Sequence, residues 1–296
     1  MQTLESLRAK IETASDMRSV VRTMKSLAAV SIRQYERAVL ALADYNRTVE
    51  LGFQIVLRGT GFPDRFFLSN HRPTATKAGA IVFGSDQGMC GPFNERIATA
   101  VHSSCTGNHE CWKLLAVGTR VASHLHELKL SSDQSFAVPA SVSEITGLVQ
   151  KMLLSIDRWL EQDDITQLYV FFNRRTTGAS NTPTQLPLLP IGPERFKRWS
   201  HQTWDSTSLP MYTMDRRRLL SCVVKQYLFV SLYRACAESL SSENASRIAA
   251  MQVAEKSIDQ RLDELHAAFN QIRQTEITEE LLDIVSGFEA LSKPQH

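Results

Sequence analysis

From Asp215 to Leu291 the sequence contains no proline, and its only glycine, Gly287, lies close to the end. Nothing in that tract forces a helix to stop. Ile258, Leu262, Leu265, Phe269 and Ile272 recur in alternating steps of four and three, the heptad spacing that lays a narrow apolar seam along one helix face. Ile248 and Met251 precede them on that seam, and Leu281, Ile284, Phe288 and Leu291 resume it after a phase slip near Thr275 to Thr278. A helix over roughly Tyr212 to Leu291 is on the order of 110 Å long at about 1.5 Å per residue. Such a rod cannot bury its own seam, so it demands a partner helix, a surrounding sleeve, or both.

The other end of the chain supplies a partner. From Leu4 to about Phe53 there is again no proline, and no glycine before Gly52. Leu4, Leu7, Ile11, Ala14, Val21, Ala28, Ile32, Tyr35, Val39 and Leu42 keep close to the same spacing, with Arg18 interrupting it. The N-terminal tract carries Arg8, Lys10, Arg18, Arg22, Lys25, Arg33 and Arg37, whereas the C-terminal one carries Glu255, Asp259, Asp263, Glu264, Glu276, Glu279, Glu280 and Asp283. Opposite charge on two heptad helices predicts that the first and last segments wind together, antiparallel or obliquely.

Between these tracts the pattern changes. Arg58 to Pro73, rich in glycine, proline, arginine and phenylalanine, reads as a loop. Strands are predicted at Ala78–Phe83, Lys113–Val117 and Gln167–Asn173, with helices at about Asn94–Ser103, Arg120–Glu127 and Ser143–Gln162. Strands separated by helices predict a small parallel, Rossmann-like sheet. The proline-rich stretch from Arg175 to Trp204 reads as a hairpin or strand excursion before the chain returns to its last helix.

With 33 basic and 31 acidic residues among 296, the chain has no global charge that would favour nucleic acid or a membrane surface. It has no apolar run of about 18 residues and no secretory pattern at its start, so a cytoplasmic protein is expected. Five scattered cysteines are the usage of reduced thiols. His102, Cys105, His109 and Cys111 lie close together but match no common zinc spacing, and SSCTGNHE reads as a loop. Gly84, Gly88 and Gly91 stand where a strand meets a helix, yet they form neither GxGxxG nor a phosphate loop with its lysine, so a tight turn explains them better than a nucleotide. The residues point to no catalytic group, metal or cofactor.

Several stretches resemble the gamma subunit, or central stalk, of F-type ATP synthases. Glu238–Met251, ESLSSENASRIAAM, is similar to that family's ESL-x-SEN-A-x-R-x-x-AM signature, and Asn270–Glu280, NQIRQTEITEE, to its N-x-x-RQ-x-x-IT-x-E. GSDQGMCGPFN at Gly84–Asn94 resembles its S-D-[KR]-G-L-C-G-x-x-N turn. LRAKI at Leu7–Ile11, RTMKSLAAVSIRQ at Arg22–Gln34, FFN at Phe171–Asn173 and LLP at Leu188–Pro190 extend the likeness over nearly the whole chain. Ser31, Gln87 and the Tyr212–Met214 stretch depart from the family pattern, in a way compatible with its alternate, separate-operon branch.

The resemblance implies an α/β fold in which long N- and C-terminal helices form an antiparallel coiled coil beside a Rossmann-like parallel-sheet domain, divided as residues 1–57, 76–205 and 212–291. It implies a rotary subunit that couples ion flow, of protons or sodium, through a membrane c-ring to ATP synthesis or hydrolysis at sites on beta subunits. Its implied partners are the alpha and beta subunits of the catalytic head, epsilon and the c-ring, at the cytoplasmic face of a prokaryotic plasma membrane. Arg22, Met24, Lys25, Arg247, Arg273, Gln274, Thr278 and Glu280 match family positions that touch the beta subunit. The residues alone leave a second reading open, a non-enzymatic coiled-coil scaffold or adaptor whose small α/β domain binds a ligand.

Overall fold

The two heptad tracts form two long helices: α1 (Leu4–Leu57) and α5 (Arg216–Ser292). Between them lie β1 (Lys77–Phe83), α2 (Phe93–Asn108), β2 (Cys111–Val117), α3 (Thr119–Glu127), β3 (Gln134–Phe136), α4 (Val142–Gln162), β4 (Gln167–Arg175) and β5 (Asn181–Leu189). The computed structural model describes residues 3–57, 77–108, 111–176, 181–192, 194–195, 198–199, 208 and 210–292. The loop expected over 58–73 lies outside them. Two units emerge, one of Met1–Leu27 with Ala249–His296 and the other of Ala28–Ile248.

In the larger unit a five-stranded sheet runs in the order β3-β2-β1-β4-β5. β1 pairs in parallel with both neighbours, Ile81 standing opposite Leu115 on β2 and Val170 on β4. β3 also pairs in parallel with β2, whereas β5 turns back antiparallel to β4. The parallel sheet expected from the strand and helix alternation is therefore present, with the proline-rich excursion closing it as a hairpin. Pro183 and Pro187 are tolerated in β5 because it is an edge strand, where a missing N–H breaks no second ladder.

Both faces of the sheet are covered, which is why β1 reads as a continuous apolar run. Ala80, Val82, Leu114, Ala116 and Phe171 pack against Ile97, Val101, Val121 and Leu125 of α2 and α3. Their alternating neighbours Ile81, Phe83, Leu115, Val170 and Phe172 face a second core that includes Val149, Met152 and Ile156 of α4. Phe53 and Val56 of α1, with Leu228 and Leu232 of α5, complete that layer.

Two element boundaries differ from the sequence reading, both for hydrogen-bonding reasons. α2 continues through the polar segment expected to be a loop, to Asn108. Ser103, Ser104 and Thr106 donate to the carbonyls of Thr99, Ala100 and His102, four residues back, so their hydroxyls are satisfied without leaving the helix. α5 begins at Arg216, not near Tyr212, because the Asp215 carboxylate accepts from the N–H groups of Arg217 and Arg218 and so caps the first turn.

In the smaller unit, ion pairs Arg18–Asp259 at 2.8 Å and Arg22–Glu255 at 2.7 Å set α1 and α5 antiparallel. Leu7, Met251, Leu262 and Leu265 are buried on the expected seam. Arg18 and Lys25 occupy heptad positions between Ala14, Val21 and Ala28, and Glu255 stands between Met251 and Ile258. The interruption at Arg18 is thus one of two separate charged pairs along the seam, Arg18 with Asp259 and Lys25 with Glu255. Charged pairs of that kind favour one register over its neighbours, since a shifted pairing would set the charges against apolar residues.

Candidate partner-contact surface

Of the residues the resemblance singles out, Arg22 and Lys25 come together on one acceptor. Arg22 Nε donates to Glu255 Oε1 at 2.7 Å, and Lys25 Nζ to Oε2 at 2.5 Å. Met24, between them, is half-buried. The hydrogen bond from Lys25, then that from Arg22, holds the Glu255 carboxyl down at about 2, against an ordinary 4.5. A lowered folded-state pKa contributes stability above the ordinary value and loses it as pH falls through the folded one. Glu255→Gln is accordingly expected to lower the thermal midpoint at pH 7, by an amount that shrinks as pH falls from about 4.5 toward 2. Melting curves of both proteins across that range measure it; a gap that stays constant with pH would contradict it. The sequence named Glu255 only as one acid of the C-terminal tract; its place on the seam between Met251 and Ile258 was the available signal.

Arg273, Gln274, Thr278 and Glu280 are all exposed near the far end of α5, and the Thr278 hydroxyl bonds only back to the Gln274 carbonyl among the contacts described. The register explains their exposure. Arg18 lies opposite Asp259 and Arg22 near Glu255, so each four-residue step along α1 matches one backward along α5, and Leu4 falls near residue 273. Beyond that point α5 has no partner among the described residues. Leu281 and Ile284, expected to resume the seam, are instead 57% and 66% exposed, as are Ile277, Leu282 and Val285 to similar degrees. Phe288 and Leu291 have side chains outside the described residues.

Arg247 is placed quite differently, in the larger unit. Its Nη2 donates to Glu243 Oε1 at 2.6 Å, and the two side chains are only 9% and 7% exposed. Burial pushes the Glu243 carboxyl up, with Arg247 opposing. Glu243 Oε2 and Arg247 Nε find no partner among the described residues, so the pair is incompletely satisfied. Burial also raises the Cys236 thiol nearby and pushes the Tyr35 hydroxyl up to about 12, which keeps both neutral.

The Gly84–Asn94 turn spends its polar groups on itself and on the sheet. Asn94 accepts from the Ser85 N–H at 2.9 Å and donates to the Ser85 hydroxyl at 2.8 Å. The Asp86 carboxylate accepts from Thr119 N–H, at the start of α3, and from Val138 N–H beyond β3, each at 2.7 Å. A Cβ on Gly84 would fall 2.3 Å from that of Val121, and Gly118, at φ 116°, lies against the Ser85 backbone. Glycines here permit close packing of strand ends on α3. Among the described residues no group of three or more His, Cys, Asp or Glu side chains is placed to hold a metal ion. His109 and the Cys111 side chain lie outside them.

A heptad helix pair with charged pairs along its seam, and a Rossmann-like sheet unit, define a coiled-coil subunit with an α/β domain. The family model described as ATP synthase matches residues 3–291. An ATP synthase gamma chain of Blochmanniella pennsylvanica (strain BPEN) is 26% identical over 295 residues, covering 97% of this chain and 99% of that relative. One from Buchnera aphidicola subsp. Baizongia pistaciae (strain Bp) is 24% identical over 293 residues, covering 98% of each. The rotor of Euglena gracilis mitochondrial ATP synthase in rotational state 1 shares the fold, with a TM-score of 0.64 at 13% identity over 93% of this chain and 98% of that one. The chain belongs to the ATP synthase family. It is a gamma-type central-stalk subunit, peripheral to a membrane-associated complex, and the adaptor reading is not favoured. Among the described residues no helix is long and apolar enough to cross a membrane.

Proposed function

We propose that this subunit turns inside a head of three alpha and three beta subunits, with epsilon and the c-ring as its other partners, at the cytoplasmic face of a prokaryotic plasma membrane. Residues 1–57 supply one wound helix, residues 212–291 the other, its helix starting at Arg216, and residues 76–205 the sheet domain. Three chemically identical nucleotide sites differ in affinity only if something outside them favours different conformations, and unequal contact with an asymmetric rotor does so. Rotation then permutes the three states.

The observation that carries this reading is the tip of α5, which has no partner among the described residues. Ile277, Leu281, Leu282, Ile284 and Val285 stand 46–66% exposed on a helix that has outrun its partner, an apolar surface that asks for a surrounding sleeve. Just before and among them, Arg273, Gln274, Thr278 and Glu280 present polar groups suited to directional contacts with a beta subunit. Arg22, Met24 and Lys25 are assigned to a second beta contact, where Glu255 orients the two basic side chains. Arg247 is assigned a beta contact as well, made through the edge of its buried pair with Glu243.

The test is the assembled complex. Arg273→Ala with Gln274→Ala is expected to leave a complex of three alpha, three beta and one copy of this chain intact while lowering ions pumped per ATP hydrolysed by severalfold. Both side chains are exposed, so folding is unaffected. Unchanged pumping per ATP would remove these two residues from the contact, and failure of the unaltered chain to assemble with alpha and beta would overturn the reading itself.

A further inference from the structure

Four arginines from three parts of the larger unit, β4, the short segment after β5 and α5, converge on one recess for which the stalk function has no use. Arg174, Arg195, Arg198 and Arg234 line a cavity of about 270 Å³ together with the carboxylates of Glu50 and Glu238. Among the described lining residues, four guanidiniums against two carboxylates leave an excess of positive charge. Glu238 is shared: it accepts Arg174 Nε at 3.0 Å and Arg234 Nε at 2.6 Å. Each of these arginines spends one nitrogen on the carboxylate, and among the described residues its terminal fork is left for another acceptor. Glu50 accepts from the Asn46 amide and engages none of the four in the contacts described.

The other two arginines have no acidic partner among the described residues. Arg195 donates to the Tyr227 hydroxyl and lies over its ring, with the guanidinium carbon 5.9 Å from the centroid. Arg174 is set in the same manner over Phe172, at 5.4 Å. Arg198 is exposed at the rim, beside Trp199, whose indole stacks on Phe53 at 4.2 Å and gives the recess a rigid wall. Two guanidiniums are thus held against aromatic rings before any ligand arrives, which reduces the ordering cost of binding.

We propose that this recess binds a small phosphate-class oxyanion. Planar, delocalised arginine forks match tetrahedral oxyanions with paired hydrogen bonds, and an excess positive charge against aromatic walls strengthens them. At about 270 Å³ the recess falls just below the roughly 300–1,000 Å³ of sites for drug-sized ligands, which favours an inorganic anion over a nucleotide. The assignment is independent of the contacts with alpha and beta.

Calorimetric titration of the purified full-length chain with sodium phosphate, against sodium chloride at matched ionic strength, tests it. One saturable site per chain is expected, with sulfate competing. Arg198→Gln, an exposed position that leaves the core untouched, is expected to weaken phosphate binding roughly tenfold or more, the scale of one charge-assisted hydrogen bond. Arg195→Gln should do the same, and Arg158→Gln on α4 should bind as the unaltered chain does. Absence of a phosphate-specific signal over chloride, or equal affinity in Arg198→Gln, would overturn the proposal. If Arg195→Gln fails to fold by circular dichroism, Arg198→Gln decides alone.

Discussion

Asp86→Ala is expected to destabilise the sheet unit by about 3 kcal/mol, the loss of two hydrogen bonds to one charged acceptor. The carboxylate joins three places far apart in sequence: its own turn after β1, the Thr119 N–H at the start of α3, and the Val138 N–H beyond β3. Alanine leaves both N–H groups without their acceptor, and the half-buried one at Val138 is the costlier. Asp86→Asn keeps one good acceptor oxygen and should cost about a third as much. Urea unfolding followed by tryptophan fluorescence measures both, and an alanine variant within ~0.5 kcal/mol of the unaltered protein would show that water replaces the carboxylate fully. The aspartate of the family-like motif GSDQGMCGPFN is explained by this role.

Glu243→Leu should cost about as much, roughly 3 kcal/mol, for a different reason. It strands the Arg247 guanidinium in a site only 9% exposed, and an uncompensated buried charge is what makes a broken buried pair expensive. Removing both charges together, as Glu243→Leu with Arg247→Met, should recover most of the loss, because the pair is already incompletely satisfied and its own desolvation cost disappears with it. Denaturant midpoints of the two single variants and the double one form the cycle that separates these terms. A double variant as unstable as the single would mean that shape, not charge, holds this part of α5. If Arg247 also touches a beta subunit, the recovered double variant should still couple poorly, which distinguishes contact from stability.

Much of this protein was legible as periodicity. The proline-free tracts and their three-and-four spacing announced α1 and α5, and their opposite charges announced that the two wind together, antiparallel or obliquely; Arg18–Asp259 and Arg22–Glu255 show the pairing to be antiparallel. The sheet strands were legible because runs such as AGAIVF are buried on both faces. Less legible were the ends of elements. Serine and threonine in 103–106 look like loop residues until their hydroxyls turn back to the helix carbonyls, and Asp215 looks like any acid until it caps.

Sequence alone determined the two long helices, the strands β1, β2 and β4 with the helices between them, their apolar faces, and the family, because these follow from local spacing and from residue strings that need no neighbour; the three-residue β3 was not legible. Only the tertiary structure decided which heptad residues meet. It showed that Lys25 meets Glu255 and Arg18 meets Asp259, that α5 outruns α1 among the described residues and bares Leu281 and Ile284, and that Arg247 lies buried against Glu243. It also gathered four arginines from three separate stretches around one recess. Register and burial depend on what stands opposite a residue, and a one-dimensional pattern does not carry that.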